Sequence, residues 1–163
     1  VLEPGDEVLC PAPYFVEYGS YCGHFGGVLK AIPSLPPDFQ PDIAAIEAAV
    51  TERTRVLLIN SPNNPTGCVY SQRTLAALAE LVNRVNATRE RPLYLLSDEP
   101  YRFLAYDGAV VPPILPLALI RNSTIVVTWL LGLGMLIVAL RLRTRDAGPL
   151  LPTAARNRPA AAD

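Results

Sequence analysis

The fold is decided by a stretch that reads VLLINSPNNPTG at residues 56–67. Its first four residues are a continuous apolar run, and a polar tip rich in Asn and Pro follows. A second stretch, LYLLSDEPY at residues 93–101, repeats this order of an apolar run and a polar tip. Short continuous apolar runs are typical of strands that are covered on both faces of a parallel sheet. Because ligands bind beyond the carboxyl ends of such strands, the two tips together predict one ligand crevice.

The rest of the chain alternates strand and helix signals around these two stretches. Strands are predicted over residues 7–10, 28–32, 55–60, 93–97 and 123–127, helices over 14–25, 43–50 and 72–89, and a Pro-rich loop over 33–41. Asp42 and Ser71 are suited to cap the second and third helices, since their side-chain oxygens can accept hydrogen bonds from the first turn. This alternation predicts an α/β fold of three layers, in which helices cover both faces of a mainly parallel sheet.

Composition narrows the class of protein. The chain has 163 residues, half of them apolar, and a formal net charge of -1. Its acidic and basic residues are scattered, which argues against a nucleic-acid partner. The three cysteines are odd in number and lack metal-binding spacing, so we predict reduced thiols in a cytoplasmic protein and no metal site. The chain opens on Val without a basic and apolar leader, and we therefore expect an interior part of a longer protein.

The polar tips contain the candidate ligand-binding residues of the sequence. Pro65 and Gly67 define a turn that presents the Asn64 amide beyond its strand. Asp98 follows a buried strand, where a carboxylate needs a partner such as a protonated ring nitrogen of a ligand, and Tyr101 could place its hydroxyl on the same ligand. Two alternatives remain open at this point: a plain surface turn at 64–67, and Asp98 as the N-cap of a helical turn that begins near Pro100.

Five segments resemble the large domain of fold-type I pyridoxal-phosphate aminotransferases, in particular the aspartate-aminotransferase-like class I/II enzymes. They are residues 4–8, 13–18, 26–27, 61–67 and 97–102, in the order of the family. The resemblance runs from about Leu2 to Val127. It implies a transaminase that moves an amino group between an amino acid and a 2-oxo acid, with pyridoxal 5′-phosphate as cofactor and a homodimer in full-length members.

The resemblance also implies four cofactor-binding residues. Asn64 and Tyr101 are expected to hydrogen-bond the phenolic oxygen of pyridoxal 5′-phosphate, and Phe15 is expected to stack on its ring. Asp98 is expected to pair with the pyridine nitrogen and so keep the ring an electron sink. The same resemblance implies cis peptide bonds at Ala12-Pro13 and Asn64-Pro65.

The chain departs from the family pattern after Val127. The family has Ser-x-Ser-Lys and then Gly-Glu-Arg-x-Gly, whereas residues 128–134 read TWLLGLG. The Schiff-base lysine is therefore missing, and we expect Lys30, the only lysine of the sequence, on the surface far from the crevice. No catalytic residue is assigned, and the chain as written is expected to be an inactive fragment. A frameshift, a gene-model error or a truncated paralogue would each produce this change.

We accordingly divide the chain into a partial cofactor-binding large domain, residues 1–127, and a divergent apolar segment with a disordered Ala/Pro/Arg-rich tail, residues 128–163. Residues 124–140 contain no charge and are followed by Arg141, Arg143 and Arg145, as in a short membrane span. The alternative function is thus a non-catalytic remnant that associates with a membrane through 124–140. A buried strand at 123–127 joined to unrelated apolar sequence is favoured, because the resemblance assigns the first third of the run to the sheet.

Overall fold

The computed structural model describes residues 1–114, 124–129 and 135–138. Within these residues the strands are β1 Glu7–Ala12, β2 Val28–Leu35, β3 Gln40–Pro41, β4 Thr54–Asn60, β5 Tyr94–Asp98, β6 Thr124–Trp129 and β7 Met135–Val138. The helices are α1 Tyr18–His24, α2 Ile43–Ala49 and α3 Gln72–Asn86. Each predicted strand and helix is therefore present, with bounds that differ by a few residues.

The strands form one sheet in the order β3-β2-β1-β4-β5-β6-β7. Strands β2, β1, β4, β5 and β6 run parallel to one another, and β3 and β7 pair antiparallel at the two edges. This confirms the mainly parallel sheet that the sequence predicts. It also places the carboxyl ends of β1, β4 and β5 side by side.

Helices cover both faces of the sheet, which confirms the three-layer architecture. On one face, α2 and α3 bury Ile46 and Leu78 against side chains of β1, β4 and β5. On the other face, α1 buries Tyr18 and Cys22 against β1 and β4. Strand β4 lies at the centre, and all seven of its residues are buried. A strand covered on both sides has no polar face, which accounts for the continuous apolar run at residues 56–59.

Local hydrogen bonds fix the starts of the second and third helices. The Asp42 carboxylate accepts from the Ala45 N–H at 3.0 Å, and the Ser71 hydroxyl oxygen accepts from the Thr74 N–H at 3.0 Å. Both predicted caps are confirmed. These bonds satisfy first-turn amides that have no partner within the helix.

Three predicted bounds were wrong, two of them for a tertiary reason. Helix α1 begins at Tyr18 and not at residue 14, because Tyr14 and Phe15 reach the core from the turn that precedes the helix. Strand β2 continues to Leu35 and pairs with β3 inside the segment predicted as a loop. Prolines are tolerated there because the pair lies at a sheet edge, where a missing N–H removes few ladder bonds. Helix α3 ends at Asn86, three residues early.

The last described strands bear on the apolar run at 124–140. Strand β6 pairs in parallel with β5, which confirms the strand predicted over 123–127, and β7 pairs with β6. Among the residues that the structure describes, we find no helix with both the length and the apolar character needed to cross a membrane. The other residues of 124–140, and the tail at 149–163 that we predicted to be disordered, lie outside the described residues.

Candidate functional site

The carboxyl ends of three neighbouring strands carry all four residues predicted to bind a cofactor. Phe15 follows β1, Asn64 follows β4, Asp98 is the last residue of β5, and Tyr101 lies in the turn after it. In the parallel register, Asn60 at the end of β4 lies opposite Asp98. The sheet topology therefore gathers residues from distant parts of the sequence at one edge.

Two of the predicted residues are in direct contact. The Asn64 side-chain amide donates a hydrogen bond to the Tyr101 hydroxyl oxygen at 3.2 Å. Both side chains are partly exposed. The Tyr101 hydroxyl and the second N–H of Asn64 can each still donate. The pair thus presents two neutral donors, a set suited to an oxyanion of a ligand.

The loop that carries Asn64 has a defined conformation. The Asn63 side-chain oxygen accepts from the backbone N–H of Thr66 at 3.1 Å and from its hydroxyl at 2.8 Å, and the Tyr70 N–H donates to the Ser61 hydroxyl oxygen at 2.9 Å. Gly67 has a φ of +71°, a conformation that favours glycine. The Asn64-Pro65 and Ala12-Pro13 peptide bonds are cis, as the family resemblance implies.

Asp98 is buried, with 8% of its surface exposed. Its carboxylate accepts a hydrogen bond from the Tyr18 hydroxyl at 2.5 Å. Burial, together with this hydrogen bond and the nearby charge of Asp98, raises the pKa of the Tyr18 hydroxyl far above its ordinary value. Tyr18 therefore keeps its proton and acts as a donor that orients the carboxylate.

The alternative in which Asp98 caps a turn near Pro100 stays a prediction. Residues 100–103 form a turn, and the described segment from 99 to 114 contains no regular helix. The hydrogen bond to the Asp98 side chain comes from Tyr18, the first residue of α1.

Sequence reasoning missed Tyr18, because it placed this residue only within the helix predicted over 14–25 and gave its hydroxyl no partner. The Phe15 ring stands edge-on to the Tyr18 ring, with 5.6 Å between centroids and 78° between planes. Phe15 is thus linked to Asp98 through Tyr18. One available signal was chemical: a tyrosine on a buried helix face needs a partner for its hydroxyl.

Asn60 was also missed. It is 2% exposed, and its side chain bonds the backbone of both neighbouring tips: the amide N–H donates to the Asp98 carbonyl oxygen at 2.9 Å, and the amide oxygen accepts from the Asn64 N–H at 2.7 Å. The signal in the sequence was an Asn that ends a strand otherwise buried at every position. A buried amide in such a place is expected to have partners.

Lys30 lies at the other end of the sheet. Its ammonium forms an ion pair with Glu7, the first residue of β1, at 2.6 Å, and its side chain is 40% exposed. This position agrees with the surface location expected from the sequence. The amine is therefore directed away from the edge that holds Asn64 and Asp98.

Comparisons with known proteins agree with the fold. The sequence pattern of the family described as "Aminotransferase class I and II" matches residues 1–128. A probable aspartate/prephenate aminotransferase of Thermus aquaticus is 45% identical over 114 residues, which is 69% of this chain and 28% of that protein. A probable N-succinyldiaminopimelate aminotransferase of Mycobacterium tuberculosis is 40% identical over 111 residues, 67% of this chain and 26% of that protein.

Solved structures are similar to the same part of the chain. An amino transferase from Eubacterium rectale has a TM-score of 0.73 at 36% identity, covering 78% of this chain and 31% of that one. The Thermus thermophilus aspartate aminotransferase with maleate has a TM-score of 0.67 at 40% identity, with the same coverage of 78% and 31%. The chain therefore spans less than a third of the length of these relatives. Because the family pattern and the solved structures both match most of its residues, the chain belongs to the class I and II aminotransferases.

Proposed function

We propose that the chain forms the ring-facing side of a pyridoxal 5′-phosphate site in an aminotransferase. The observation that carries this proposal is the contact of Asn64 with Tyr101 at the strand edge that also holds Asp98 and Tyr18. The Asn60 side chain hydrogen-bonds the backbone of both Asp98 and Asn64, which supports the inference that the two pairs belong to one site.

The side chains at this edge suit the chemical groups of the cofactor. A phenolate oxygen needs donors, which Asn64 and Tyr101 supply, and a protonated ring nitrogen needs an anion, which Asp98 supplies. Phe15 offers a partly exposed apolar ring for packing. When bound, pyridoxal 5′-phosphate supplies an electron sink for chemistry at the α-carbon of an amino acid.

Each residue of the proposed site has a role that follows from its position. Asp98 would hold the proton of the ring nitrogen, and Tyr18 would orient the Asp98 carboxylate by donating to it. Asn64 and Tyr101 would orient the ring by donating to its oxygen. These residues would bind and align the cofactor, and none of them supplies the amine of the missing Schiff-base lysine.

We further propose that the chain with this sequence binds the cofactor without turning over a substrate. Lys30 is paired with Glu7 at the opposite edge of the sheet, and residues 128–134 contain no lysine. The substrate class is an amino acid with a 2-oxo acid, in keeping with the aminotransferase names of the relatives. We expect the full-length protein to be a homodimer in the cytoplasm, and the three free cysteines support a reducing compartment.

The test is a titration of the chain with pyridoxal 5′-phosphate, followed by absorbance and fluorescence. The aldehyde can also react with an exposed amine, so the matched control is Lys30→Arg, which keeps a cation beside Glu7. Pyridoxamine 5′-phosphate, which has no aldehyde, is the second probe. We expect saturable binding of both probes in wild type and in Lys30→Arg. A signal that vanishes in Lys30→Arg, or no signal at all, would overturn the proposal.

A further inference from the structure

We propose that Asn60 is a positioning residue that sets the two halves of the cofactor site at a fixed distance from each other. This inference rests on the function proposed above, because it concerns how Asn64 and Asp98 are held. Asn60 touches the backbone of both residues and is itself buried.

The geometry assigns each end of the Asn60 amide to a different half of the site. The N–H donates to the Asp98 carbonyl oxygen at 2.9 Å, and the oxygen accepts from the Asn64 N–H at 2.7 Å. Neither Asn64 nor Asp98 uses its side chain in these bonds. The Asn60 amide therefore links the backbones of Asn64 and Asp98 and occupies neither of their side chains.

The two bonds need one donor and one acceptor at the end of a short side chain, which the Asn60 amide provides. A 180° flip of the Asn60 amide would place oxygen against oxygen at Asp98 and N–H against N–H at Asn64. Asp would keep the acceptor for Asn64 and lose the donor to Asp98, and Ala would lose both. Since a buried carbonyl or N–H without its partner is costly, either change should displace the tip that has lost its bond.

The molecule contains a matched control for this residue. Asn86, at the end of α3, donates to the Leu93 carbonyl oxygen at 2.9 Å and accepts from the Leu93 N–H at 2.7 Å. These two bonds have the same donor and acceptor types and the same lengths as those of Asn60. They lie at the amino end of β5, the edge of the sheet opposite to the site.

The first experiment measures cofactor affinity in the full chain with Lys30→Arg as background and pyridoxamine 5′-phosphate as probe. We expect Asn60→Ala to weaken binding about tenfold, as the loss of one or two well-formed hydrogen bonds would, and Asn86→Ala to change it less than about twofold. Thermal unfolding of both variants controls for a general loss of stability. Equal effects of the two substitutions on affinity would overturn the positioning role.

A double-mutant cycle with Asn64→Ala separates positioning from independent binding. If Asn60 acts partly through Asn64, its substitution should cost less in the Asn64→Ala background than in the parent chain. The effect of Asn86→Ala should be the same in both backgrounds. Additive effects of Asn60→Ala and Asn64→Ala would contradict the coupling.

A third measurement needs no cofactor and so separates this inference from the proposed function. Hydrogen exchange of the Asn64 backbone N–H should be faster in Asn60→Ala, slow in Asn60→Asp, which keeps the acceptor, and unchanged in Asn86→Ala. Unchanged exchange in Asn60→Ala would overturn the inference whether or not the chain binds a cofactor. If wild type binds neither probe, the proposed function fails, and the exchange rates alone decide whether Asn60 fixes the two tips.

Discussion

The polar side chains at the amino ends of β1, β4 and β5 have partners of a different kind from those at the carboxyl ends. At the amino ends, charges of the chain pair with each other: Asp6 with Arg91 at 2.9 Å, and Glu7 with Lys30 at 2.6 Å. At the carboxyl ends, the residues of the candidate site have neutral partners: the Tyr18 hydroxyl donates to Asp98, and Asn64 contacts Tyr101. A charged pair at this end, Glu99 with Arg102 at 2.7 Å, lies just beyond β5.

The pKa values reflect the same contrast. Burial alone would raise the pKa of the Asp6 carboxyl, but hydrogen bonds from Arg91 and the Glu3 N–H, with the charges of Arg91 and Arg55, hold it below its usual value. At the other end, burial and Asp98 raise the pKa of the Tyr18 hydroxyl. We therefore expect substitutions at the amino ends to change stability and, under the proposed function, substitutions at the carboxyl ends to change ligand binding.

The largest expected effect is on stability, from Asp6→Ala. This change leaves the buried Arg55 guanidinium without its nearby anion, and we expect the free energy of unfolding in urea to fall by about 2–3 kcal/mol. Arg91 is 45% exposed, so the loss stays below that of a fully buried pair. The control is Glu47→Gln in the exposed pair with Arg84, expected to cost under about 0.5 kcal/mol. Cofactor affinity of the folded Asp6→Ala chain should not change. A large fall in affinity would contradict the expectation that the amino ends affect stability and not binding.

Asp98→Asn should give the next largest effect, this time on binding. The amide keeps an oxygen that can accept from Tyr18 but removes the charge that faces the ring nitrogen, so we expect a loss of about 1.5–2 kcal/mol, or at least about tenfold in the dissociation constant. Titration with pyridoxamine 5′-phosphate measures the binding, and urea unfolding should show a smaller change than in Asp6→Ala. An unchanged titration curve would remove Asp98 from the site.

Asn64→Ala should weaken binding less than Asp98→Asn does, because it removes a neutral donor. We expect a loss of about 1 kcal/mol, roughly fivefold in affinity. Tyr101→Phe removes the hydroxyl that Asn64 contacts and should cost a similar amount, with less than the sum of both losses in the double variant. Full additivity would show that the two side chains do not act on one group of the ligand.

The smallest expected effect is a pH dependence of stability that belongs to the amino ends. The pKa values of Asp6 and Glu7 lie below their ordinary values of 3.8 and 4.5, so the unfolded chain binds more protons than the folded one in acid. Their stabilisation is complete above these ordinary values and is lost as pH falls through the lowered pKa values. Urea unfolding of Asp6→Asn should show a shallower loss of stability than wild type as the pH falls below the ordinary Asp6 value of 3.8. Identical slopes in wild type and variant would contradict this role.

The parts that could be predicted from the sequence are those with local causes. A continuous apolar run marks β4 because both of its faces are covered, and Asp42 caps α2 through an amide three residues away. Asn64 and Asp98 could be placed at one edge of the sheet because Asn64 lies in the tip beyond β4 and Asp98 ends β5. The resemblance to a known family added the roles, which the residues alone left open.

The parts that could not be predicted depend on contacts between distant segments. Tyr18 and Asp98 are 80 residues apart in the chain, and nothing in the local pattern of either residue indicates the other. The bond from the Asn60 amide to the Asp98 carbonyl oxygen likewise exists only once β4 and β5 are in register. The pairing of β2 with β3 is decided by their place at the sheet edge, which composition does not reveal.

The most direct test of the central claim is an amide NMR titration of the isotopically labelled Lys30→Arg chain with pyridoxamine 5′-phosphate. The account predicts saturable shifts at the carboxyl ends, around Phe15, Asn64, Asp98 and Tyr101, with the amides of Asp6 and Leu93 unchanged. Shifts centred on the amino ends, or no saturable shift at any amide, would contradict it.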